Sequence, residues 1–338
     1  MSSTEIVRKL FAAYSRQDED EFRRLAEEYI DFERRKKHNI VVKELKDALY
    51  SNASSRSNFP GKRFRTEAPV PRDNDNGFPL LEIREYYVSW EDLILPQRTR
   101  TVLEQIVQEF QIAEILSTYN LRPANKILLC GVPGTGKTYT AQLLSSLLHV
   151  PMVHVRFDAI ISSYLGETAT NLRKVFEFIK TGVWVVLFDE VDIIGKNRDD
   201  QHESGEIKRV VNNYLQMLDG FEGNSLVLAA TNHPHILDPA IWRRFDEVIE
   251  LPLPSEEERH QLLTMFLKPL KRESNINLQC LASETVGFSP SDLKGMCLEA
   301  MKHAIVAGRD ILKDEDVAFA RTRYAERHLM KDTNLLCE

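Results

Sequence analysis

Hydrophobic patterning divides the chain into three regions. Up to residue 50, apolar side chains recur at helical spacing: Ile6, Val7, Leu10, Phe11 and Tyr14, then Phe22, Leu25, Ala26, Tyr29 and Phe32, then Ile40, Val42, Leu45 and Leu49. That repeat lines one stripe of a helix, so it predicts a small helical hairpin or three-helix unit over residues 1–50. Over residues 85–254 the pattern becomes short unbroken apolar runs, "KILLC", "MVHVRF", "VWVVLFDE", "LVLAATN" and "EVIELPL", alternating with helical stretches. A strand that is apolar throughout is covered on both faces, which predicts an α/β fold with a parallel sheet flanked by helices. From residue 255 the pattern is helical again: "SEEERHQLLTMFLKPL", "QCLASETV", "SPSDLKGMCLEAMKHAIVAG" and "KDEDVAFARTRYAERH" predict a small helical unit over 255–330, with a tail at 331–338. Ser255 with Glu258, and Ser289 with Asp292, carry the helix-start signature of a hydroxyl and an acid three residues on.

Residues 51–84 break the periodicity. Their first part is rich in Ser, Asn, Pro and Gly and reads as a linker. Arg56, Lys62, Arg63, Arg65 and Arg72 make it locally basic, although the whole chain of 338 residues carries a net charge of −7. An acidic balance disfavours duplex-DNA binding by bulk electrostatics. The 4 cysteines, Cys130, Cys280, Cys297 and Cys337, show no zinc spacing and read as free thiols in a reducing compartment. No signal peptide and no apolar run long enough to span a membrane is visible, so a cytoplasmic protein is expected.

The chemistry concentrates in the middle region. "GVPGTGKT", residues 131–138, fits G-x-x-x-x-G-K-[ST] and lies between the strand "KILLC" and the helical "TYTAQLLSSLL". Glycines let the backbone N–H groups curl inward around phosphate, and the helix N-terminus adds favourable partial charge. Gly131, Pro133, Gly134, Thr135, Gly136, Lys137, Thr138 and Tyr139 are therefore candidate nucleotide contacts. Lys137 would reach the β- and γ-phosphates, and Thr138 would bind Mg²⁺. The strand "VWVVLFDE" ends in Asp189, placed to orient Mg²⁺, and Glu190, placed to polarise an attacking water. Asp192 adds a third acid with a structural role. "LVLAATN" ends in Asn232, expected near the attacked γ-phosphate. Arg243 and Arg244, in "LDPAIWRRFD", form a pair able to reach a neighbouring subunit's nucleotide; a surface salt bridge is the plainer reading of such a pair.

In order, "VSWEDLI", "GVPGTGKT", "LFDEVD", "AATNHPHILDPAIWRRFD" and "GFSPSDL" resemble the motifs of the AAA clade of AAA+ ATPases over residues 88–323. The arginine motif, lacking a Pro-Gly insertion, looks closest to the meiotic branch that includes katanin and spastin. The resemblance implies ATP and Mg²⁺ at a subunit interface of a ring, a homo-hexamer in most members. It puts Asp92, Ile94 and Ser291 beside the adenine, and likens "LDGF" (residues 218–221) to an inter-subunit signalling motif. Two positions depart from the family: Pro290-Ser291 stand where the lid has Gly-Ala, and Ile94 stands where the opening segment has Gly. Both add side chain near the adenine and bear on nucleotide affinity. Within "SSYLGET", Tyr164, Leu165 and Gly166 match the family's aromatic–aliphatic–glycine pore loop, which grips an extended polypeptide. A second pore loop is expected within residues 197–209.

The combined reading is a protein-remodelling ATPase, with the N-terminal helices choosing a polypeptide substrate or adaptor. Two rivals share the ATPase core. One is a nucleic-acid motor, weakened by the acidic charge. The other is a nucleotide-switched module that activates a partner protease or nuclease.

Overall fold

The computed structural model describes residues 8–9, 24–26, 28–29, 69–73, 77–160, 165–194, 204–234 and 239–335. The chain forms two compact units, Met1–Arg63 and Phe64–Glu338. In the first, the described residues are helical and Leu25 is buried. The rest of the helical unit expected over 1–50 lies outside the described residues.

The second unit opens with β1 (Leu81–Arg84) and a 3-10 turn (Trp90–Asp92). Next come α1 (Gln97–Gln111), α2 (Ala113–Thr118), β2 (Lys126–Cys130), α3 (Lys137–Leu148), β3 (Met152–Val155), the short α4 (Phe157–Ile160), α5 (Leu165–Ile179) and β4 (Val185–Phe188). A second 3-10 turn (Val191–Ile194) leads to α6 (Ser204–Asp219), β5 (Leu226–Thr231), the short α7 (Pro239–Trp242) and β6 (Glu247–Glu250). The strand order is β1-β3-β4-β5-β2-β6. Strands β3, β4, β5, β2 and β6 run parallel, and β1 joins β3 antiparallel.

The continuous apolar runs do what their composition requires. In β2, Ile127 and Leu129 face a core shared with Leu103, Ile106 and Phe110 of α1 and Leu144 of α3. Leu128 and Cys130 face the opposite core, with Leu172 and Phe176 of α5 and Tyr214 and Leu218 of α6. Because alternate residues of a strand face opposite sides, burial on both faces demands an apolar side chain at every position.

The linker expected over 51–84 ends earlier than its composition implied. Leu80 and Leu81 are buried in the sheet core, and β1 pairs Leu81 with Val155 through to Arg84 with Met152. Asp73 is buried against α5, where Asn171 donates its side-chain N–H to the carboxylate at 3.1 Å. Lys174 reaches the Arg72 carbonyl at 3.0 Å. Four residues of alternating character, "LEIR", carry too little signal to stand out after a Pro- and Gly-rich run. Their charged side chains suit an edge strand.

The lid contains α8 (Glu256–Phe266), β7 (Lys271–Arg272), α9 (Leu278–Glu284), α10 (Pro290–Val306), β8 (Ile311–Leu312) and α11 (Asp314–Leu335). Both expected capping boxes form: Ser255 and Ser289 accept the N–H of Glu258 and Asp292, whose carboxylates accept the cap N–H in return. Its core centres on Leu263, Leu293, Met296, Cys297 and Ala304. Two charges are buried here and hydrogen-bonded. Arg259 donates to the carbonyls of Ala282 and Pro254 at 2.8 and 2.9 Å. Asp316 takes both arms of Arg309, the Lys313 N–H and a ring nitrogen of His303. Burial alone would push the Asp316 carboxyl up, but these partners together hold it below its ordinary range. Helix α11 continues past residue 330, so the expected tail is its last turn as far as Leu335.

Candidate active site

The site lies at the C-terminal ends of β2, β4 and β5, where parallel strands leave an open crevice. Residues 131–136 curl between β2 and α3, with Gly131, Gly134 and Gly136 at positive φ. At Gly134, φ is +83°, and a Cβ would meet Ser289 Oγ at 2.7 Å and Ser291 Cβ at 2.8 Å. Only glycine fits that position, both for conformation and for space. The Thr135 hydroxyl closes the turn by donating to the Val132 carbonyl at 2.9 Å. Pro133 is exposed on the rim of the loop.

Lys137 is buried. Its ammonium donates to the Gly131 and Val132 carbonyls at 2.7 and 3.0 Å. Loss of water pushes the ammonium below its ordinary range, against the opposing pull of Asp189, Asp192 and Glu190. The Thr138 hydroxyl donates to Asp189 Oδ2 at 2.8 Å. These two residues are 51 apart in sequence, and the pairing of α3 against the end of β4 brings them together. Two hard oxygen donors so placed fit Mg²⁺, with Thr138 and Asp189 as the residues that would hold it.

Glu190 follows with φ +54°, a left-handed conformation that costs a non-glycine residue about 1–2 kcal/mol. Its N–H donates back to Asp189 Oδ1 at 3.0 Å, and its side chain is exposed. Asp192 is buried and accepts from the Thr231 hydroxyl at 3.2 Å and from the Asn232 N–H at 3.3 Å. The turn after β4 is thus tied to the end of β5 through Thr231 and the Asn232 N–H. Thr231 also accepts the His233 N–H at 3.0 Å. The spacing signal did not single out Thr231; a buried hydroxyl just before a polar strand end was the available clue. His154 of β3 was missed as well, and its Nε2 stands 4.0 Å from Asp189 Oδ2.

The remaining expected residues divide. Arg243 is exposed. Arg244 donates to Asp219 at 2.7 Å, so within one chain it already has the partner that the sequence did not reveal. That partner belongs to the "LDGF" motif. Asp92 caps the first 3-10 turn, accepting from the Ser89 N–H and hydroxyl at 2.8 Å each, and these bonds lower its carboxyl pKa. The neighbouring Tyr139 hydroxyl is pushed up by burial and, to a lesser extent, by the Asp92 charge. Ile94 packs on the lid core. Ser291 donates its N–H to the Gly134 carbonyl at 3.2 Å. Tyr164 lies outside the described residues. Leu165 and Gly166 form the first turn of α5, where a loop was expected. Residues 204–209, within the expected second pore loop, belong to α6; residues 197–203 lie outside the described residues.

A phosphate loop between strand and helix, a hydroxyl–carboxylate pair beside it and a lid closing over it define a P-loop nucleotide hydrolase. The family comparisons agree. The model of the ATPase family associated with various cellular activities (AAA) matches residues 127–253, and that of the AAA+ lid domain matches 275–318. An uncharacterized AAA family ATPase of Sinorhizobium fredii is 34% identical over 316 residues, 94% of this chain and 93% of that protein. The proteasome-activating nucleotidase of Saccharolobus solfataricus is 37% identical over 67% of this chain and 59% of its own length. The 26S proteasome regulatory subunit S10B homolog B of Arabidopsis thaliana is 32% identical over 71% and 62%. The chain belongs to the AAA family and is an ATPase. It spans less than two thirds of these proteasomal relatives. They do not represent the katanin and spastin branch that the arginine motif resembles.

Proposed function

We propose that this ATPase works as a ring, a homo-hexamer, that threads, unfolds or disassembles polypeptide substrates. The observation that carries the reading is the contact of Thr138 with Asp189 beside the buried Lys137. It supports the ATP-driven step of this reading, because residues that would bind phosphate, hold a cation and activate water lie along one crevice. Gly131 to Thr138 would cradle the phosphates, and Lys137 would turn from its two carbonyls to the β- and γ-phosphates. Mg²⁺ on Thr138 and Asp189 would neutralise charge on the phosphates. Glu190 would accept a proton from the attacking water, with Asn232 orienting it.

Arg243 and Arg244 would act on a neighbour's nucleotide. Arg244 would leave Asp219 when the ring forms, giving the "LDGF" motif a way to sense the interface. Tyr164 and Leu165 would grip substrate in the pore, and the N-terminal helices would select it. The arginine motif supports a kinship with the meiotic branch, whereas the names of the relatives favour a second reading, activation of a partner protease. The described cysteines are unpaired, in keeping with a cytoplasmic location.

The test is a substrate trap. ATP-loaded Glu190→Gln protein, recovered from its native extract, is expected to hold a defined polypeptide that Tyr164→Ala releases. A partner enzyme retained without Tyr164 would favour the activator reading, and captured nucleic acid would overturn both.

A further inference from the structure

We propose that Ser291, through its backbone N–H, is a positioning residue that sets nucleotide affinity by holding the phosphate loop against the lid. The first N–H groups of a helix have no partner within it. In α10, the Asp292 N–H is taken by Ser289 Oγ and the Leu293 N–H by the Ser289 carbonyl. The Ser291 N–H leaves the lid altogether and donates to the Gly134 carbonyl of the phosphate loop, at 3.2 Å.

This bond fixes more than a contact. In a trans peptide the carbonyl oxygen and the following N–H point to opposite sides. Holding the Gly134 oxygen on the lid turns the Thr135 N–H away from the lid, in the sense that the phosphate cradle needs. Gly134 has no side chain to limit its rotation, and its φ of +83° lies where glycine moves freely. Ser289 and Ser291 also crowd Gly134, where a Cβ would meet Ser289 Oγ at 2.7 Å and Ser291 Cβ at 2.8 Å. Ile94 packs on the same lid core. Any swing of the lid must release the Gly134 peptide, so lid angle and phosphate affinity move together.

The experiment compares Pro290→Ala/Ser291→Pro, which deletes the N–H while keeping a single proline in the first helical turn, with Pro290→Ala and Ser291→Ala, which keep it. Proline is tolerated in that turn. ADP binding and steady-state ATP hydrolysis are measured on the full chain. Loss of the bond is expected to raise the ADP Kd and the ATP KM by about tenfold with kcat within about threefold, the signature of lost ground-state binding. Ser291→Ala, which keeps the N–H, is expected to bind ADP more tightly than the proline variant. Equal losses in Ser291→Ala would assign the effect to the side chain and overturn the proposal. Unchanged ADP binding in the proline variant would overturn it too, as would a fall in Tm and kcat at constant KM.

Discussion

The nucleotide crevice and the lid core both bury charge, and they treat it in opposite ways. In the lid, Asp316 is saturated by both arms of Arg309, by His303 and by the Lys313 N–H. In the crevice, Lys137 loses its water for two weak neutral acceptors, and Glu190 sits in left-handed backbone with its carboxylate exposed. A buried charge with every bond made supports the fold. One held with bonds to spare, or at a backbone cost, is kept for a ligand.

Several substitutions can break that contrast. Glu190→Gln is expected to lower ATP turnover by about 10²–10⁴ with nucleotide binding retained; turnover within tenfold of the parent would remove Glu190 from the chemistry. Breaking the lid network has the opposite signature. Asp316→Ala removes the shared acceptor of Arg309, His303 and the Lys313 N–H and should cost about 1–3 kcal/mol of stability, read as a fall in the urea midpoint. Smaller, and opposite in sign, is Glu190→Gly: it removes the left-handed strain and should stabilise by about 1 kcal/mol while hydrolysis is lost. A destabilised Glu190→Gly protein would refute the strain argument.

The same contrast can be sharpened with pH. Asp316 has a folded pKa below its unfolded value, so its contribution to stability is fully present above the ordinary carboxylate range, near 4. That contribution is lost as pH falls through the lowered folded value. Acid unfolding monitored by circular dichroism should therefore lose part of its pH dependence in Asp316→Asn. The smallest stability change belongs to Asp219→Ala. It breaks a solvent-exposed pair with Arg244 and should cost under about 1 kcal/mol. Its informative effect is kinetic, because a freed Arg244 should alter ring ATPase while leaving nucleotide affinity in place.

Legibility from sequence followed the range of the interactions involved. The phosphate loop was readable because its glycines, lysine and threonine act within eight consecutive residues, and the sheet because burial on both faces forces unbroken apolar runs. Local backbone bonds made the caps at Ser255 and Ser289 equally plain. Strand β1 was not legible: its stability comes from Val155 and Met152 across the sheet rather than from its own composition. Residues 165–167 read as loop because Gly166 is a poor helix former, yet α5 begins at Leu165. Which acid Arg244 would pair with was not legible, because Asp219 lies 25 residues away and reaches it only in the folded chain.

By itself, then, the sequence determined that this is a parallel α/β ATPase with a helical lid, since local backbone chemistry and two-faced burial leave few other solutions for those runs. Only the tertiary structure decided how the charges are spent. Asp192 is committed to Thr231 and Asn232, and the first turn of the lid helix to the phosphate loop. These pairings join residues tens to more than a hundred positions apart. A side chain's partners across such distances depend on which elements the core brings side by side, and no local pattern encodes that.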